Sequence, residues 1–146
     1  MTFHFVNILT WEFFAENRSD RFIIYVDGFL LQLAIFLTTG KWIKKTSGLN
    51  YYHNNQWRES TLFLTSDGAQ GFKNEFSLPV WDDDASLNIT TSFLESVSKF
   101  ENIVIGISSP KQDFLALEIA RQYPDIRLYC LGAALYTKRV LNSENV

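Results

Sequence analysis

The chain has 146 residues, enough for one domain with a full core and too few for two comfortable ones. At 47% hydrophobic and 20% charged it is globular rather than disordered. A net charge of −3 with no long basic run argues against a dedicated nucleic-acid binder, and a single cysteine excludes an internal disulfide.

Aromatic residues make up 16% of the chain, thirteen of them Phe and four Trp. The core is therefore expected to be rich in large rings, with some left to face a partner or a membrane surface. No Lys or Arg precedes Arg18, so the start lacks the basic segment of a secretory signal. The most apolar stretch, 29–37, is too short to cross a bilayer, which takes about 20 residues. These features predict a soluble, cytoplasmic protein.

Residues 3–9 read as a first strand. Thr10-Trp11-Glu12 follows, then a short amphipathic helix ending near Asn17. Residues 22–26 read as a second, buried strand that stops at Asp27-Gly28. A helix runs from 29 to about 38 and is stopped by Gly40. Residues 41–60 are polar and aromatic and predict a long loop with at most a helical turn. Tyr51, Tyr52 and Trp57 in that loop can meet lipid, a partner or the core. Residues 61–65 form a third strand, followed by Ser66-Asp67-Gly68 and a short helix to about 74. A strand over 76–81 and a helix from 85 or 86 to 99 come next.

Ile103, Val104, Ile105 and Ile107 form a short apolar, β-branched run, as in a strand covered on both faces. Ser108, Ser109 and Pro110 suit a helix start. The helix that follows carries Phe114, Leu115, Leu117 and Ile119. A last strand over 127–131 precedes a polar tail, 136–146. Strands alternate with helices throughout, which predicts one α/β domain over 1–135. The expected architecture is an open, mostly parallel sheet with helices on both faces, a Rossmann-like three-layer arrangement. Ligands of such folds bind beyond the carboxyl ends of the strands. Thr10, Asp27 and the segment from Ser108 to Gln112 share that address.

Each candidate has two uses. Asp27 can act as a general base or cap the helix after it. Thr10 can hydrogen-bond a substrate or serve as a cap. Lys111 opposes the dipole of its own helix unless an anion sits at the free N–H groups there. Gln112 can read a base or sugar, or cap its own helix. Asp82-Asp83-Asp84 suits a helix start better than a metal. His4 and His53 have no ligand-like neighbour at useful spacing, so no zinc site is expected. Cys130 reads as a buried, inert thiol.

The segment Ile103-Val-Ile-Gly-Ile-Ser-Ser-Pro-Lys-Gln-Asp113 resembles the hallmark of the WecG/TagA/CpsF glycosyltransferases, an apolar strand followed by Ser-Pro-Lys-Gln-Glu. Other pieces occur in the same order. Thr10 resembles the Thr of an N-terminal Thr-x-Asn pattern. Tyr25-Val-Asp27-Gly28 is similar to the family's Asp-Gly strand end. Lys45-Thr-Ser-Gly48-Leu-Asn50 resembles its Arg-x-x-Gly-x-Asp loop, and Leu131-Gly132-Ala133 its later Gly-containing segment. The resemblance covers roughly residues 5–135.

That resemblance implies a bacterial enzyme of surface-polysaccharide or teichoic-acid synthesis. It would move a sugar such as N-acetylmannosamine from a UDP-sugar donor to a polyprenyl-diphosphate-linked acceptor at the inner membrane face. Asp27 would be the base, with Thr10 beside it. Gln112, Lys111, Ser109, Gly106, Lys45 and Gly132 would bind substrate. No metal or other cofactor is implied. The chain departs from the family at Glu12, Lys45, Asn50 and Asp113. It also lacks the basic C-terminal appendage, keeping only Lys138 and Arg139. A site completed by a second subunit or a partner glycosyltransferase follows as one expectation. A non-catalytic homologue that binds a nucleotide sugar or a partner is the other.

Overall fold

The computed structural model describes residues 1–17, 19–66, 72, 74–78, 91–107, 111–132 and 135. Their strands are β1 (Thr2–Val6), β2 (Phe22–Val26), β3 (Thr61–Ser66), β4 (Glu75–Leu78), β5 (Asn102–Gly106) and β6 (Arg127–Cys130). They form one open sheet in the order β2-β1-β6-β5-β3-β4. Every pairing is parallel. Parallel neighbours need crossover connections, and the helices that supply them cover the sheet. The expected α/β open sheet is the observed fold.

The helices are α1 (Trp11–Glu16), α2 (Phe29–Thr39), α3 (Gly48–Asn54), α4 (Thr91–Val97) and α5 (Lys111–Gln122). Side chains alternate across each strand, so neighbouring core residues serve opposite layers. Ile103 and Ile105 of β5 pack with Leu94, Val97, Leu115 and Ile119 from α4 and α5. Val104 between them joins Tyr52, Phe63 and Tyr129 in the layer under α3. A third cluster, Val6, Phe14, Val26 and Leu31, seats α1 and α2.

The structure departs most from the sequence-based expectation at β1, α3 and α4. β1 stops at Val6, three residues early, because Asn7 turns the chain. Its Oδ1 accepts the N–H groups of Leu9 at 2.9 Å and Thr10 at 3.1 Å. The expected loop contains α3, whose start is capped by Ser47 Oγ accepting from the Asn50 N–H at 3.1 Å. The helix expected to run to 99 ends at Val97. Its predicted start, the Asp82–Asp84 run, the short helix after β3 and the tail lie in whole or part outside the described residues. No helix among the described residues is long and apolar enough to cross a membrane.

Candidate functional site

β2 delivers Asp27 to the carboxyl edge of the sheet. The Asp27 N–H donates to the Val6 carbonyl at 2.8 Å, extending the β1–β2 ladder by one step. The Thr46 N–H donates to the Val26 carbonyl at 2.7 Å. That bond lays the segment before α3 along the end of β2. The Asp27 carboxylate accepts a hydrogen bond from the Gly48 N–H and faces the Lys45 ammonium. Burial pushes the Asp27 carboxyl above its usual range, and the Gly48 bond and Lys45 only partly offset this. Gly28 has φ +102, a conformation that L side chains rarely adopt, so the sharp exit from Asp27 requires glycine.

What holds α3 against Asp27 is aromatic. Tyr51 packs on Phe5 and Tyr25, at ring centroid distances of 5.2 and 5.4 Å, and hydrogen-bonds Tyr25. Burial first, then Tyr129 and Tyr25, push the Tyr51 hydroxyl up to about 12. Trp57 meets Tyr129 edge-on at 5.1 Å, and its ring N–H donates to the Tyr52 carbonyl. Tyr51, Tyr52 and Trp57 are thus core residues, with Tyr52 fully buried. Sequence reasoning named these rings without assigning them a positioning role.

Thr10 sits at the end of neighbouring β1. Its hydroxyl accepts from the Asn7 N–H at 3.1 Å and lies 3.3 Å from the Asn7 carbonyl. Asn7 is the residue sequence reasoning missed. It shapes this turn and packs beside Gly28, and an Asn directly after an apolar strand was the available signal.

The second group of candidates lies further along the edge. Gln112 is buried, and its Oε1 has no hydrogen-bond partner among the described residues. A Cβ at Gly132, whose φ is +56, would sit 3.4 Å from the Gln112 Nε2. Glycine there leaves the amide its space. Lys111 opens α5 and is half-buried. Gly106 faces inward: a Cβ there would run into the Leu135 side chain, so its small size serves packing. Ser109 lies outside the described residues. At about 4.8 Å per strand, the end of β6 before Gly132 is about 10 Å from the Asp27 end of β2. The Gly106 end of β5 is about 14 Å away by the same spacing.

α5 is anchored from below. His4 Nδ1 and Asp113 Oδ1 are 2.9 Å apart, both buried, and His4 Nε2 meets Thr2 Oγ1 at 3.0 Å. Cys130 completes a cluster whose three donor atoms lie within 4.8 Å of one another. Burial, and then Asp113, push its thiol well up, so it is a poor nucleophile. Both His4 nitrogens already have hydrogen-bond partners, which makes the cluster a tie between β1 and α5. Sequence reasoning found no neighbour for His4 because Asp113 is 109 positions away.

Two clefts among the described residues lie away from these candidates. One of about 620 Å³ opens beside α1 and β2, lined by Trp11, Phe14, Asp20 and Phe22. Another of about 480 Å³ lies at the amino ends of β3, β5 and β6, with Arg58, Glu101 and Arg127. No expected site residue lines either one. Compared with protein-family models, curated proteins and solved structures, the chain matches none.

Proposed function

We propose that this chain is a glycosyltransferase that moves a sugar from a UDP-sugar to a polyprenyl-diphosphate-linked acceptor, with Asp27 as general base. The observation that carries the reading is the meeting of Asp27 with Lys45 and Gly48. The sequence resemblance singled out these two segments separately, and they converge on one carboxylate. A carboxyl held above its usual range is also a better base near neutral pH.

In the proposed reaction Asp27 takes the proton of an acceptor hydroxyl. The hydroxyl oxygen forms a bond to the anomeric carbon of the donor sugar. The bond from that carbon to the UDP oxygen breaks, and UDP leaves with the electron pair. Lys111, Ser109 and the N–H groups at the start of α5 would stabilise the charge on the departing diphosphate. Gln112 and Gly132 would line the donor pocket, and Thr10 the acceptor side. The distance along the strand ends suits an extended nucleotide sugar lying between α5 and β2. A second subunit or a partner glycosyltransferase would complete the site.

A second reading, a non-catalytic homologue that binds a nucleotide sugar or a partner, draws support from Thr10, whose hydroxyl is engaged by Asn7. Lys45 favours it too, since an ammonium lacks the bidentate fork of Arg. Calorimetric titration with UDP, using ADP and GDP as controls, separates the outcomes. Selective UDP binding that weakens in Gln112→Ala supports the donor pocket. Asp27→Asn is expected to cut transfer by about 100-fold or more while leaving UDP binding nearly intact. Undiminished transfer by that variant sinks the role of Asp27.

A further inference from the structure

We propose that the outward face of α2, with the lysine-bearing segment that follows it, seats the protein on an anionic lipid surface. α2 is apolar on two sides. Leu31 points into the core, and Gln32 is buried with its Nε2 donating to the Ile43 carbonyl at 2.9 Å. The other side holds Phe29, Leu30, Phe36 and Leu37, with Leu30 63% and Leu37 73% exposed. Leu30, Phe36 and Leu37 follow Phe29 by one, seven and eight residues, which places all four on one stripe of a 3.6-residue helix. Trp42 is 57% exposed and packs edge-on against Phe36 at 5.5 Å, so the patch continues past the helix end. Contiguous exposed apolar surface of this kind marks an interaction site.

Charge selects the occupant. Between Gly28 and Arg58 the sequence has no Asp or Glu. The same stretch carries Lys41, Lys44 and Lys45, all exposed. In a chain with a net charge of −3, the stretch that forms this apolar helix thus has no acid and carries its lysines just past the helix end. Trp beside Lys at the rim of an apolar helix face is the chemistry of an interfacial helix on anionic headgroups. A second copy is a poorer fit. A two-fold interface on this face would bring its lysines toward those of the other copy. The helix has 11 residues, about 16 Å at 1.5 Å per residue, so it lies in the interface rather than crossing it. It begins two residues after Asp27, which would hold that carboxylate close to the lipid. The link to a lipid-borne acceptor rests on the glycosyltransferase reading; the docking itself does not.

The test is flotation of the full chain with phosphatidylcholine vesicles, with and without phosphatidylglycerol. Binding is expected only with phosphatidylglycerol and should weaken in high salt. Lys41→Glu combined with Lys44→Glu should lower it on the order of 10-fold or more. Leu37→Ser should lower it too, and the tryptophan blue shift on binding should vanish in Trp42→Phe. All variants are checked for native circular dichroism. No flotation by well-folded protein overturns the proposal, as does flotation indifferent to these substitutions. Concentration-dependent dimerisation lost in Leu37→Ser, without lipid binding, overturns it in favour of a second copy. UDP titration without lipid reads the other proposal separately, because neither Leu37 nor Lys41 belongs to the nucleotide site.

Discussion

α2 and α5 are nearly the same length, and each begins just beyond the carboxyl end of a strand, yet they are built differently. α5 is two-sided in the usual sense. Leu115, Ala116 and Ile119 are buried, while Glu118 and Arg121 pair on the outer side. Its start is tied to β1 by the His4–Asp113 contact. α2 has apolar residues on both sides and no ionisable group in its eleven residues. One helix turns most of its apolar side chains to the sheet beneath it and a charged pair outward. The other satisfies the sheet and still offers an apolar surface. An amphipathic helix is explained by its own fold, and a doubly apolar one points to something outside it.

The largest expected effect tests the anchoring of α5. Asp113→Ala removes one partner of a buried pair and takes from His4 Nδ1 the oxygen it meets at 2.9 Å. A loss of about 3 kcal/mol or more is expected in urea unfolding. A loss under about 1 kcal/mol would mean that the contact does not hold α5 in place.

The next effect concerns the aromatic layer that sets α3 against Asp27. The Tyr51 hydroxyl titrates near 12 in the folded chain, against an ordinary value of 10.0. The folded state therefore binds this proton more tightly than the unfolded state. Its contribution to stability is complete below pH 10.0 and is lost as pH rises through about 12. Tyr51→Phe should flatten the stability profile across that window, read by thermal unfolding at stepped pH. An unchanged profile would remove Tyr51 as the source of alkaline sensitivity.

Asp27 follows the same sign for a carboxylate. Its pKa is raised on folding, so its ionisation near neutral pH opposes folding. Asp27→Asn should melt slightly higher than the parent at neutral pH, and the difference should close below the ordinary carboxylate range. Parent and variant melting alike at all pH values would contradict the burial of that carboxylate. The smallest expected effect is on α2. Leu37→Ser should change stability by no more than about 0.5 kcal/mol, because the side chain is 73% exposed. A larger loss would show that α2 is as fold-bound as α5, and the contrast between them would fail.

Much of this architecture was readable before any coordinates. The strand over 22–26 has its expected bounds, and α2 ends one residue past the expected place. Its stop is the anticipated glycine: Gly40 has φ +72, and its N–H donates to the Phe36 carbonyl at 2.8 Å. α3 was harder to see, because Gly48, Asn50 and His53 are weak helix formers. Packing of Tyr51 and Tyr52 on the sheet overrides that local preference. In the candidate site, Asp27, Lys45 and Gly48 were each legible by type and position, whereas Asn7 and the Tyr25–Tyr51 contact were not.

Local chemistry in the sequence by itself determined the alternation of strands and helices, hence a parallel α/β sheet, and the glycine-bound exit after Asp27. Periodicity and turn residues act over a few positions, so they can be read along the chain. Only the tertiary structure decided the strand order β2-β1-β6-β5-β3-β4, the burial of His4 against Asp113, and the placing of Gly48 on the Asp27 carboxylate. Those arrangements join residues from distant parts of the chain, through the packing of whole layers, and no local pattern encodes which partner a side chain will meet.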